Sequence, residues 1–429
     1  MQGLRRARRA VHSLNPLRTA TASPSSRMTA DERRSSASLA SVFAARMLGL
    51  FLVLPVFALE AARYPGGDDP LRIGLAMGIY GLTQGILQIP FGLASDRFGR
   101  KRVITIGLVV FALGSFLAAA APTLGWLIAG RSLQGAGAVS AAVTALLADQ
   151  TRDEVRTKAM ALVGGSIGLM FAFSLVAGPV LAGWIGLAGL FVITGVLAVA
   201  CIVVVHRWTP PEPSVHRGQP RGRLADVVSH RPLLRLDFGV FVLHAVQLAM
   251  WVAIPALLVA AGLPAAEHWQ VYLPAILLSF LVMWGTLFPL ERRGYLRAVF
   301  LWSVGLVGLV QLGLLLVTPA PQLLALAVLL FLFFCGFNVL EASQPSLASR
   351  LAPPHARGAA LGVYNTLQSL GFFVGGLGGG WLLKHAGTQA VFGACAALTA
   401  VWLAVAWAMH APTRHKSPEE TLADEAQAT

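Results

Sequence analysis

The sequence predicts an all-α polytopic membrane protein, with twelve transmembrane helices in two pseudo-symmetric six-helix bundles. Three observations predict it. Of the 429 residues, 56% are hydrophobic and only 12% are charged. A soluble domain carries about a quarter charged residues, so this chain cannot cover a water-facing surface. Apolar stretches long enough to cross a hydrocarbon core of roughly 30 Å recur from Leu39 to just before Pro412. A barrel would show short alternating strands instead. Finally, the Pro- and Arg-rich segment 207–232 divides these stretches six and six.

The expected spans are 38–62, 72–95, 102–121, 123–148, 157–183 and 187–206 in the first bundle (38–206). In the second bundle (233–410) they are 233–261, 268–290, 297–317, 321–348, 357–383 and 388–410. Residues 1–37 are rich in Arg and Ser and read as a disordered tail, a transit peptide, or an extension before a start at Met28. A cleavable signal peptide is not expected, because the first apolar run is too long and lies too far in. The polar tail 411–429 is expected to be disordered.

Lys and Arg set the expected orientation. With the N-terminus cytoplasmic, 28 of the 33 basic residues fall on the cytoplasmic side and only Arg63, Arg72 and Lys384 on the other. Both termini and the linker are then cytoplasmic, and the location is the inner (plasma) membrane. The net charge of +14 is mostly this topology signal. Nucleic-acid binding needs a folded basic face, and none is visible. Cys201, Cys335 and Cys395 lie inside apolar runs, without metal-ligand or disulfide spacing. No metal, no cofactor and no enzymatic activity is expected, since no nucleophile–base pair occurs at compatible depth. The expected partners are a small-molecule substrate, protons and the lipid bilayer, with a monomeric chain.

Between spans two and three stands "GLASDRFGRKR", Gly92 to Arg102. Basic residues alone would fix topology, so Asp96 asks for another role. Gly92 would let a neighbouring helix approach. Gly99 would allow the tight turn. Arg100 can reach a second carboxylate in a fork geometry, and Asp149 at the end of span four is the natural partner. The stretch resembles the loop signature Gly-x-x-x-Asp-Arg-x-Gly-Arg-Lys of the major facilitator superfamily. That resemblance implies an Asp96–Arg100–Asp149 chain, with Asp96 capping span eleven near Arg357–Gly358. Such a latch would hold the halves together when the cavity opens outward. The matching loop of the second half, "PLERRGYLRAV", keeps only Glu291, Arg292, Gly294 and Arg297 as echoes.

Arg131, in "RSLQGAG" of span four, is costly in a membrane unless paired or hydrated. It resembles the superfamily's Arg-x-x-x-Gly signature, which implies a part in proton coupling; bonding to neighbouring carbonyls is the plainer alternative. Gly178 and Pro179 in span five resemble part of the antiporter signature, although Ser174 stands where a Gly is expected. Small residues permit tight helix packing and Pro bends a helix, which accounts for the pair nearly as well.

Among the acids only Glu341 falls deep in a span. It lies nine residues from Arg350, about 13 Å at 1.5 Å per residue. His244 lies nine residues from Arg235, at the same depth. An acid and an imidazole at one level form a proton site. Further polar and aromatic groups could face a substrate cavity: Arg46, Tyr80, Gln84, Gln247, Trp251, Asn338, Tyr364, Asn365 and Gln368. Interhelical hydrogen bonding, or snorkelling for Arg46, would explain them equally well.

Within the superfamily the chain resembles the YajR-type branch of drug–proton antiporters, through "RMLGLFLVLPVFAL", "FNVLEASQPSLASRLAP" and "GVYNTLQSLGFFVGGLGGG". Proteins of that branch can carry a folded cytoplasmic domain after span twelve, for which the segment 411–429 is too short. The resemblance implies proton-coupled efflux of a small, lipophilic molecule by alternating access. A nutrient facilitator or importer on the same fold, and a non-transporting sensor, are the alternatives.

Overall fold

A computed structural model describes residues 28–212, 227, 229–353 and 356–409. Residues 1–27 and 410–429, and 213–226 of the linker, lie outside the described residues, and with them most of the two tails expected to be disordered. Among the described residues every regular element is a helix. Eight helices are long and apolar enough to cross a membrane on their own. Two of these are double. Helix α7 (Asp153–Arg207) and helix α12 (Arg357–Trp407) would run far past a bilayer of roughly 30 Å at 1.5 Å per residue. Each turns back at a non-helical glycine, Gly186 and Gly387. Helix α3 (Pro70–Phe98) is a further crossing, its hydropathy diluted by its glycines and by Gln84 and Gln88. The last is made of α5 (Leu124–Ala136) and α6 (Ser140–Asp149). With α1–α2 (Ala30–Val53, Phe57–Ala61), α4 (Arg100–Ala119), α8 (Arg231–Ala260), α9 (Trp269–Arg292), α10 (Leu296–Val317) and α11 (Leu323–Leu351), the chain crosses twelve times.

Three boundaries differ from expectation, each for a local reason. Helix α1 begins at Ala30 rather than near 38, because "TADE" closes a capping box. Glu32 N donates to Thr29 Oγ1 at 3.2 Å and Thr29 N donates to Glu32 Oε2 at 2.8 Å. The first crossing breaks before Phe57, at Pro55, where the backbone donor is missing. The fourth breaks at Gly137–Val139, where backbones touch: a Cβ on Gly137 would lie 2.4 Å from the Gly107 carbonyl oxygen.

The two halves share their turn chemistry. Among the described residues the six with positive φ are all glycines. Gly66, Gly99 and Gly186 occupy the first, second and fifth connections of the first half. Gly262, Gly294 and Gly387 occupy the same connections of the second. Gly186 and Gly387 adopt nearly the same conformation, φ 65°, ψ −177° and φ 79°, ψ 178°. Only glycine takes this region without strain. The matched set is a backbone record of two related units.

Within each half the helices pack on one another, and α3 with α12 and α7 with α9 bridge the halves. Exposed tryptophans ring both ends. Trp126, Trp184 and Trp381 lie at one end; Trp208, Trp302 and Trp407 lie at the other, with the basic loops. This is the pattern of side chains at a membrane–water interface. We call the end bearing Asp96 and the linker the basic end, and the other the far end.

Candidate functional site

At the basic end, Gly99 (φ 100°) joins α3 to α4 in a conformation that requires glycine. Arg100 opens α4 and gathers three partners. Its guanidinium pairs with Asp96 one turn back, its Nε donates to Asp149 Oδ2 at 3.0 Å, and its Nη1 donates to Ser95 Oγ at 2.7 Å. Asp96 and Asp149 stand near the C-terminal ends of α3 and α6, where the helix dipole disfavours an anion. Arg100 offsets both. Glu212 takes the opposite position: it accepts from the Arg100 and Lys101 amides at the positive start of α4. Lys101 Nζ donates to the Thr209 carbonyl at 2.7 Å, which fastens the start of the linker to the same loop. Neither Ser95 nor Glu212 was signalled by spacing. A Cβ on Gly92 would sit 3.6 Å from that of Ala141, an ordinary contact in the described state. The expected capping of span eleven by Asp96 concerns Arg357–Gly358, of which the Arg357 side chain lies outside the described residues.

In the core of the first half Arg46 and Arg131 flank Tyr80. Arg46 is 2% exposed and does not snorkel. It donates to Ser140 Oγ at 2.8 Å, Tyr80 Oη at 2.7 Å and Gln84 Oε1 at 3.2 Å, while its Nε has no partner. The guanidinium of Arg131 lies 5.0 Å from the Tyr80 ring centroid, 5.7 Å from that of Phe57 and 6.0 Å from that of Phe191. Arg131 donates to Gln134, and at 3.5 Å to the carbonyls of Ala76 and Met77. All these neighbours belong to the first half. A cavity between the halves is walled by Tyr80, Arg131, Phe51 and Met77 on one side and by Leu248 and Phe372 on the other.

The second half holds the acid and the imidazole. His244 Nε2 lies 3.2 Å from Glu341 Oε2. Gln368 Nε2 lies 2.8 Å from His244 Nε2 and 3.5 Å from Glu341 Oε1. His244 Nδ1 lies 2.8 Å from the Val240 carbonyl, which fixes the proton on Nδ1 and leaves Nε2 facing Glu341. The His244–Glu341 contact is then a hydrogen bond only when one of the two atoms carries a further proton. Without it, the Nε2 lone pair accepts from the Gln368 amide, and Glu341 Oε2 faces it with no donor. Phe372 stacks edge-on to His244, with centroids 4.9 Å apart. His244 is buried, whereas the Glu341 side chain is 36% exposed. Asp237, seven residues before His244 on α8, and Tyr364, four before Gln368 on α12, are the other ionisable groups of this region.

The remaining candidates scatter. Asn338 donates to Ser279 Oγ at 2.8 Å and Trp251 packs edge-on to Tyr272, both inside the second half. Gln247 and Tyr364 are buried, and Asn365 is half-buried. Of the nine expected cavity residues Tyr80 lines the cavity, with Arg46 and Gln84 behind it. Gly178 packs against the end of α1: a Cβ would lie 2.5 Å from the Leu52 carbonyl oxygen, one residue before Pro179.

At the far end the halves are closed on each other. A Cβ on Gly74 would lie 2.1 Å from the Gly376 carbonyl oxygen, and one on Gly380 2.4 Å from that of Pro70. Asp69 caps α3 through Leu71 N and also accepts from Lys384 Nζ at 2.9 Å across the halves. That hydrogen bond from Lys384 holds the Asp69 carboxyl below the usual carboxylate range. The sequence held no signal for this pair.

The Major Facilitator Superfamily model matches residues 39–376 and 290–428. The chain is 44% identical to the inner membrane transport protein YajR of Escherichia coli over 90% of its length and 85% of the relative's. It is 30% identical to the multidrug resistance protein MdtH of Proteus mirabilis, over 78% of this chain and 84% of that one. Its fold matches a crystal structure of a point mutant of the nucleoside transporter NupG, with a TM-score of 0.69 at 14% identity, covering 87% of this chain and 99% of that one. The chain is a multi-pass membrane transporter belonging to the major facilitator superfamily.

Proposed function

We propose that this transporter is a proton-coupled efflux carrier of the inner membrane, with the basic end and both termini cytoplasmic. It works by alternating access, the two bundles rocking about the central cavity. The observation that carries the reading is the His244–Glu341–Gln368 cluster, whose central contact needs a proton to become a bond. Protonating it changes the net charge of the second half's interior by one. Such a change biases one conformation over the other only through different contacts in the two. The described conformation is closed at the far end by α3 and α12, and the Glu341 side chain is half-buried, with Oε2 buried against His244. MdtH is named for multidrug resistance, which favours export of a small lipophilic compound.

Proteoliposomes test this. A resistance screen of an overexpressing strain against a compound panel supplies the cargo. An imposed pH gradient should then drive that cargo against its own gradient, with counterflow of protons. Glu341→Gln should abolish the gradient's effect. Counterflow of cargo with no proton movement would make the protein a facilitator and remove the coupling role of Glu341.

A further inference from the structure

The first half carries two guanidiniums that its own side chains do not neutralise. Arg46 and Arg131 are 2% and 4% exposed and both meet Tyr80, Arg46 at its hydroxyl and Arg131 over its ring. Among the described residues neither makes an ion pair; their partners are hydroxyls, amides, carbonyls and aromatic faces. Neutral dipoles soften a buried charge without cancelling it, and two like charges beside one ring repel in a low-dielectric interior. Here Arg46 Nε has no partner, and the carbonyl contacts of Arg131 are long, at 3.5 Å. Arg131 and Tyr80 also face the cavity between the halves, whose other walls are apolar: Phe51, Met77, Leu248 and Phe372.

We propose that this cavity, widened as the halves part, binds an amphiphilic organic anion. Arg131 receives its carboxylate, sulfonate or phosphate group, Arg46 and the Tyr80 hydroxyl support it from behind, and the apolar walls take the body. The class follows from the charge balance of the first half: a guest with one negative charge neutralises one of the two guanidiniums, and a cationic guest would add a third positive charge there. This names the cargo class of the carrier proposed above and rests on reading the central cavity as its transport site. Arg131 thereby moves from proton coupling, which its sequence signature implied, to cargo binding.

The test uses three probes that share one ring system and differ in charge: naphthalene-2-sulfonate, naphthalene-2-methanol and naphthalen-2-ylmethylammonium. Binding to the full-length protein in neutral detergent is followed by calorimetry. The sulfonate should bind at least about tenfold more tightly than the other two, the scale of one charge-assisted contact. Arg131→Gln should weaken it by about ten- to a hundredfold, and Arg46→Gln by several-fold. Arg131→Lys keeps the charge and should recover part of the affinity, which carries the test should Arg131→Gln fail to fold. Equal binding of the three probes, or full sulfonate affinity in Arg131→Gln, would overturn the proposal. Nanodiscs separate two sources of the anion. Weakening by phosphatidylglycerol but not phosphatidylcholine assigns the site to a lipid headgroup, and equal affinity in both assigns it to a free anion. No proton gradient is present, so failure of proton coupling leaves these outcomes intact. Failure of sulfonate binding leaves pH-driven transport of another cargo intact.

Discussion

Gly74→Ala should unbalance the carrier toward the conformation in which the far end is open. In the described state a Cβ at this position would lie 2.1 Å from the Gly376 carbonyl oxygen and 2.9 Å from Gly380 Cα. Both obstacles are backbone, so no side chain can rotate away and α3 must retreat from α12. Forcing one methyl into such packing costs about 1–3 kcal/mol. Alanine also favours a helix over glycine by about 1 kcal/mol, but that gain applies in both conformations and leaves their ratio unchanged. The clash acts only where α3 and α12 touch, so the ratio should shift about 5- to 150-fold. Nitroxide labels at residues 102 and 293, both exposed at the basic end and on different halves, read the shift as a new, shorter distance. Cys201, Cys335 and Cys395 are buried and compete little for label. An unchanged distance distribution in a normally folded variant would refute the reasoning. It would mean that α3–α12 packing does not hold the far end shut.

Other perturbations test the remaining contacts. Asp96→Asn should lower transport severalfold with normal membrane insertion, because Arg100 loses its partner one turn away; full transport activity would remove the latch role. Reversing Arg100 and Asp149 together should recover part of the activity lost in either single reversal. The effect of this pair on stability should stay below about 1 kcal/mol, since the Asp149 side chain is 43% exposed. Asp69 supplies a pH prediction. Its carboxyl lies below the ordinary value of 3.8 because of Lys384, so the ion pair is fully present above that value and is lost as the pH falls beneath it. Acid on the far side should therefore loosen closure there. Asp69→Asn should be loosened at neutral pH and respond no further to acid, as read by labels at exposed residues 126 and 381.

What the sequence makes legible depends on the physics behind each feature. Lipid exposure demands long apolar runs, so the twelve crossings can be read directly, and the turn glycines stand in the loops between them. The interruption at Gly137–Val139 escapes such a reading, because it arises from backbone contact with Gly107 on another helix. Depth is also legible: counting from Arg235 and Arg350 puts His244 and Glu341 at one level, and the fold brings them to 3.2 Å. Depth does not say which helices face each other. Arg131 shares a signature with proton coupling, yet its neighbours are Tyr80, Phe57 and Phe191 in the first half. Glu212 lies among prolines beyond the last helix of the first half, and its place at the start of α4 is visible only once the linker is folded back. The start of α1 is set by "TADE" alone, because a capping box is a local device, but a count of apolar residues passes over it.

The paired glycines and the unpaired charges belong to one argument. Two halves that turn their chain at matching connections have diverged in their interiors. Among the described residues one keeps Arg46 and Arg131 with no ion-pair partner; the other keeps Glu341 beside an imidazole. A cavity between such halves is electrically lopsided. An anion held at Arg131 repels an ionised Glu341, so anion and proton are favoured in the same conformation. Exchange requires the reverse, that the two occupy the carrier at different steps. The membrane potential supplies a way out. Moving one charge across 100 mV is worth about 2.3 kcal/mol, and an interior-negative cell already expels anions. The proton then need only reset the empty carrier. On the proposed reading, the cargo step of export is driven by voltage and the return step by Glu341, with one site in each half.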